Sequence, residues 1–106
     1  MLPAELPDDQ EMLKTILAPL LEDFSYWFER SLAALEKEQV AFMTPQEQEA
    51  FMAKIKQAQA EVSATKSLFN ATDGAAGVDM KVLMPWHQLV TECWAIAQKN
   101  RQRKAS

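Results

Sequence analysis

The sequence predicts an all-α fold: a long antiparallel two-helix hairpin with a shorter third helix packed against it. Three observations carry that expectation. Apolar residues recur at steps of four and three over two long stretches. Thr44-Pro45-Gln46-Glu47, between those stretches, combines a capping hydroxyl, a first-turn proline and an acid at the third helical position. Only two glycines occur in 106 residues, too few for a fold built on many tight turns.

The first helix is expected from about residue 9 to residue 38. Asp8 stands at the N-cap with Glu11 three residues on, and the early acids suit the positive end of the helix dipole. Leu13, Leu17, Leu20, Phe24, Trp27 and Ser31 draw one seam, and Ile16, Leu21, Phe28, Leu32 and Leu35 form a second row beside it. The combined face is wide. Leu21, Phe28, Leu32 and Leu35 are therefore expected as surplus apolar surface left facing outward, a candidate interface. Pro19 lacks an amide hydrogen and crowds the carbonyl of Thr15, which predicts a kink or a broken turn.

The second helix is expected over residues 45–70, with the seam Phe51, Ile55, Ala58, Val62, Thr65 and Phe69. A short connection between matched seams favours antiparallel packing. Residues 71–84 then form the predicted linker. Gly74 and Gly77 supply turns, and the alternation of Val78, Met80, Val82 and Met84 suggests an extended segment, although a helical turn starting at Asp79 fits nearly as well. The third helix is expected over residues 85–102, with Pro85 at its first position and a basic tail over residues 99–106. Trp86, Val90, Cys93 and Ala97 fall within one narrow arc of it, flanked by Leu89, Ile96 and Trp94.

This last stretch concentrates two of the three tryptophans, the lone histidine and the lone cysteine, yet helical geometry makes it mainly a packing surface. His87 and Cys93 point about 120° apart and cannot share a metal from one helix. A single cysteine cannot staple the fold internally, and mid-seam it is a small apolar residue rather than an activated thiol. Without a phosphate loop, a nucleophile beside a base or metal-ligand spacing, no enzyme activity, cofactor or metal is expected. Trp86, His87 and Trp94 join the four residues of the first helix as interface candidates.

Charge narrows the partners. The formal net charge of −4 disfavours nucleic-acid binding, which needs a clustered basic surface. Residues 1–50 carry eleven acids against three bases, and residues 51–106 four acids against eight, so opposite halves attract within one bundle or steer a second molecule. No apolar run approaches a membrane span, and Glu5, Asp8 and Asp9 near the start do not suit a secretory signal, so a cytoplasmic setting without stable membrane insertion is expected.

Several runs also carry a resemblance: Leu20 to Phe24, Tyr26 to Arg30, Gln57 to Ala64, and above all Gly77-Val78-Asp79-Met80 with Met84 to Trp94. Over roughly residues 11–98 the chain resembles a set of small cyanobacterial proteins grouped only as a domain of unknown function. The resemblance implies a cyanobacterial cytoplasm, and no catalytic residue carries over from it. The expected function is a non-catalytic protein–protein interaction module, binding an unknown protein partner or a second copy through the apolar face of the first helix. The alternative is a pocket for a pigment or other flat cofactor near His87, Trp86 and Trp94.

Overall fold

Capping chemistry sets the helix boundaries. In the computed structural model, which describes residues 9–75 and 78–105, α1 spans Asp9–Lys37, α2 Pro45–Ala71 and α3 Met80–Ala105. The expected cap Asp8, the turn residue Gly77 and the side chain of Leu13 lie outside what is described. At the start of α2, the Glu47 amide donates to the Thr44 hydroxyl at 3.0 Å and the Thr44 amide to the Glu47 carboxylate at 2.8 Å. That reciprocal pair satisfies two amides that the helix itself leaves open.

The end of α2 is a Schellman turn. The Gly74 amide donates to the Phe69 carbonyl at 2.7 Å and the Asp73 amide to the Asn70 carbonyl at 3.2 Å. Asp73 takes the left-handed conformation, φ 53°, and Gly74 follows at φ 82°. Glycine is required at the second position for space as well: a Cβ there would lie 2.8 Å from Cγ of Lys14. The same Lys14 forms an ion pair with Asp73, so this turn ties the end of α2 to the start of α1.

Two sequence expectations need correction here. Residues 80–84 are helical, and α3 starts at Met80 rather than Pro85, which makes it nearly as long as α2. Asp79 caps it: its carboxylate accepts the Lys81 amide at 2.9 Å, and its carbonyl accepts the Val82 amide at 2.9 Å. Pro85 is tolerated within the helix because the carbonyl it leaves without a helical donor belongs to Lys81, an exposed residue that water can reach. The same reasoning applies to Pro19. The helix continues through it without a broken turn, with Pro19 and Thr15 both on the solvent face.

α1 and α2 pair antiparallel, and α3 returns parallel to α1. Phe24 meets Trp86, Ser31 lies beside Cys93, and Asn100 donates to Glu38, a constant offset of 62 residues. The core stripe of α1 is Leu17, Leu21, Phe24, Phe28, Leu32 and Leu35, drawn from both expected rows. α2 contributes Phe51, Ile55, Ala58, Val62 and Phe69, and α3 contributes Leu83, Trp86, Leu89, Val90 and Cys93. Phe28, Leu21, Ile55 and Val62 are the most completely enclosed large side chains, each contributing about 1.5–3 kcal/mol by burial. Two of the ion pairs, Lys66–Glu22 and Lys104–Glu38, join bases of the basic half to acids of the acidic half, so part of the charge asymmetry is spent inside the chain.

One polar side chain sits in this core. Gln48 lies on the α2 seam one step before Phe51 and is buried. Its Nε2 donates to the carbonyls of Leu35 and Glu38, both at 2.8 Å, while its Oε1 accepts the Val40 amide at 2.9 Å. These are carbonyls that the last turn of α1 leaves open, together with the first buried amide beyond it. A side chain of α2 thus caps the end of α1.

Candidate interaction site

The interface expected on α1 is not a surface. Leu21, Phe28, Leu32 and Leu35 are at most 8% exposed within this single chain, and Trp86 is also buried. α2 and α3 approach α1 from different sides and between them enclose Leu21, Phe28, Leu32 and Leu35, leaving Ile16 of that row exposed. Trp86 instead anchors α3: its ring lies edge-on to Phe24, with centroids 5.6 Å apart, and its Nε1 donates to Glu61 on α2 at 3.1 Å. Of the expected candidates, His87 and Trp94 are exposed.

The open apolar surface lies elsewhere. After Cys93 no described residue of α3 is fully buried; only Ile96 and Asn100 are half-buried. As α3 stops contributing core side chains, a groove of about 890 Å³ remains between it and the second half of α1. Its floor is Leu35, Val40, Phe51 and Cys93; its sides are Trp27 and Ala34 from α1 and Trp94 and Ala97 from α3. The small alanines keep it wide. At its upper end the rings of Tyr26, Trp27 and Trp94 pack edge to face, with centroids 5.0 and 5.4 Å apart. Trp94 is nevertheless 47% exposed.

Four cations line the groove: Arg30 and Lys37 from α1, Arg101 and Lys104 from α3. Arg30 donates to the Tyr26 hydroxyl at 3.1 Å. Glu38, also in the lining, accepts from Lys104 at 2.6 Å and from Asn100 at 3.0 Å. Those two bonds, the Lys104 bond foremost, hold its carboxyl below the usual range, so it stays ionised and already matched. The rim therefore keeps an excess of positive charge in a chain that is acidic as a whole.

A comparison with protein families matches residues 7–102 to a family described as a protein of unknown function, DUF2605. The chain belongs to that family. Comparisons with curated proteins and with solved structures gave no match for this DUF2605 chain.

Burial pushes the Cys93 thiol up from its ordinary range, outweighing the hydrogen bond from Ser31, so at the groove floor it is a protonated apolar group. His87 is exposed and does not line the groove, and Trp86 is buried away from it. The three therefore do not assemble the flat-cofactor pocket considered from sequence. Among the described residues, no three His, Cys, Asp or Glu side chains are placed to hold a metal ion. Nor is any described helix long and apolar enough to cross a membrane.

Sequence reasoning missed Ala34, Ala97, Arg30 and Arg101 as site residues. A signal existed. Trp27, Arg30, Ala34 and Lys37 on α1, and Trp94, Gln98 and Arg101 on α3, each follow the same three-and-four spacing as the core seams and lie just beside them. The seams drew attention to the bulky residues, whereas the groove exists where small ones leave room.

Proposed function

We propose that this chain is a non-catalytic protein-interaction module whose docking surface is the groove between α1 and α3, and that its occupant is an amphipathic helix with an acidic edge. The observation that carries this is the groove itself: an apolar floor and tryptophan sides left open beside a closed core. A helix is about 10 Å across and is commonly bound by laying its apolar face into such a groove between two others. Aromatic side chains like Trp27 and Trp94 are the residue type that dominates binding energy at such contacts. Arg30, Lys37 and Arg101 favour carboxylates along the edge of the incoming helix, which fixes its register and speeds encounter. The setting we propose is the cytoplasm of a cyanobacterium, on the strength of sequence resemblance alone.

The test is site-specific photo-crosslinking in the cell that makes the protein, with the reactive side chain at Gln98 in the groove or at Ser63 on the exposed side of α2. A polypeptide adduct is expected from Gln98 and not from Ser63, reduced severalfold when Arg30 and Arg101 are both changed to Glu. Adducts that are absent from Gln98, or equal from both positions, would refute the docking role.

A further inference from the structure

We infer that this groove is covered by a second copy of the same chain, docked antiparallel about a two-fold axis so that α1 and α3 lie along their counterparts and side chains of the partner copy enter the groove; this rests on the docking role proposed above. The groove is the deep end of a longer face. Its α1 side continues toward the start of the helix through Asp23, Leu20 and Ile16, and its α3 side through Thr91, His87, Met84 and Met80, in unbroken steps of three and four. Because the two helices run parallel at a fixed offset, these continuations lie on the same side of the molecule. Apart from the half-buried Leu20 they are open to solvent: Ile16 is 55% exposed, Met84 54% and Met80 65%. Large apolar side chains are thus exposed in line at one end of a face whose other end is a groove.

Charge divides the same way. The groove end carries Arg30, Lys37 and Arg101; the other end carries Asp23 and Asp79, both exposed. Among the described residues, Asp23, Asp79, Arg30 and Arg101 take part in no ion pair, unlike the charges spent inside the bundle. Two copies laid face to face with helices parallel would set cations on cations. Laid antiparallel, with the axis crossing near Trp27, they set Asp23 of each copy against Arg30 of the other and Asp79 against Arg101. The same register places Leu20 over the gap at Ala34. The two helices give nearly the same register: the α1 face centres between Tyr26 and Trp27, and the α3 face at Val90, which the 62-residue offset sets level with Phe28, about 2 Å further along. An isologous contact requires such self-complementarity.

The area is sufficient for a reversible dimer. A face about 30 Å long and two helices wide offers on the order of 600 Å² per copy, or about 1,200 Å² in all, the lower bound of specific interfaces. The monomer–dimer equilibrium should therefore fall in the micromolar range.

Sedimentation equilibrium of the full chain from about 1 to 500 μM tests this, with Asp23→Arg, Arg30→Asp and the double variant carrying both. The wild type is expected to dimerise. Each single reversal replaces two attractions per dimer with two repulsions and should weaken association about tenfold, while the double variant restores both pairs and should return to within about threefold of wild type. Helical circular dichroism of each variant checks that it is folded, and recovery in the double variant excludes simple damage to α1. A wild type that stays monomeric to 500 μM, or a double variant no better than the singles, overturns the inference. The Gln98 adduct separates the two claims: an adduct of twice the chain mass supports self-docking, a groove-specific adduct of any other mass overturns it while leaving the docking role standing, and no adduct overturns both.

Discussion

Replacing Gln48 should be among the most damaging polar changes in this chain. Its side chain makes three hydrogen bonds at 2.8–2.9 Å to backbone groups around the end of α1. Gln48→Met keeps length and apolar bulk but removes all three. The Glu38 carbonyl is only partly buried and can recruit water, so its loss is small; the Leu35 carbonyl and the Val40 amide are left buried without a partner. At about 1–3 kcal/mol for each stranded group, the expected destabilisation is about 3 kcal/mol. With a urea dependence of ~1.5 kcal/mol per molar for a domain of this size, the unfolding midpoint should fall by about 2 M. Gln48→Glu adds a second signature. A carboxylate still accepts from Val40 but faces two carbonyls it cannot satisfy, so burial and those dipoles raise its pKa in the folded state. A raised folded pKa means that stability is recovered as pH falls and the acid becomes a donor, so the deficit relative to wild type should shrink between pH 7 and pH 4. Urea unfolding followed by circular dichroism measures both. A Gln48→Met variant within 0.5 kcal/mol of wild type, or a Gln48→Glu deficit independent of pH, would refute the capping role.

Trp86→Ala should cost about 3–5 kcal/mol in the same assay and Trp86→Phe about 1–2, since phenylalanine keeps the contact with Phe24 but not the bond to Glu61. Cys93 should react with a thiol-specific disulfide reagent at pH 8 only as fast as the chain opens, with labelling accelerating steeply at the urea midpoint; rapid labelling of the native protein would contradict its burial. Glu38, held low by Lys104 and Asn100, contributes stability that is present above the ordinary carboxylate range and lost as pH falls through its lowered value. Lys14, raised by its hydrogen bond to Asp73, contributes stability that is present below the ordinary lysine value and lost as pH rises through the raised one. Both pairs are exposed, so Lys104→Met and Lys14→Met should each flatten one limb of the Tm–pH profile, acid and alkaline respectively, by a small amount.

The hairpin was legible because periodicity and capping agreed: the α2 seam is buried from Phe51 to Val62 and again at Phe69, and the Thr44 cap forms both of its bonds. The inner face of α1 was harder. Six positions at steps of four and three look like one of two rows until it is known where the neighbours stand: α3 meets the first row at Phe24 and Trp27, and Leu21, Phe28, Leu32 and Leu35 of the other row are buried as well. The start of α3 was obscured by proline, whose usual first-turn preference outweighed the weaker cap signal of Asp79, although the carbonyl that Pro85 leaves open belongs to the exposed Lys81. Gln48 could have been found. A glutamine one heptad step ahead of Phe51 on an otherwise apolar seam has to be satisfied by something, and the nearest open groups are those where α1 ends. The groove is the part least visible in sequence, since it depends on how far α3 follows α1 before parting from it.

The three indoles give this molecule two optical channels at no cost to its sequence. Trp86, sealed at 2% exposure, should emit toward the blue and escape aqueous quenchers until the chain unfolds, whereas Trp94 should emit toward the red and be reached by acrylamide at once. Light from one therefore tracks the integrity of the bundle and light from the other the occupancy of its open side, so folding and association can be followed separately in unlabelled protein.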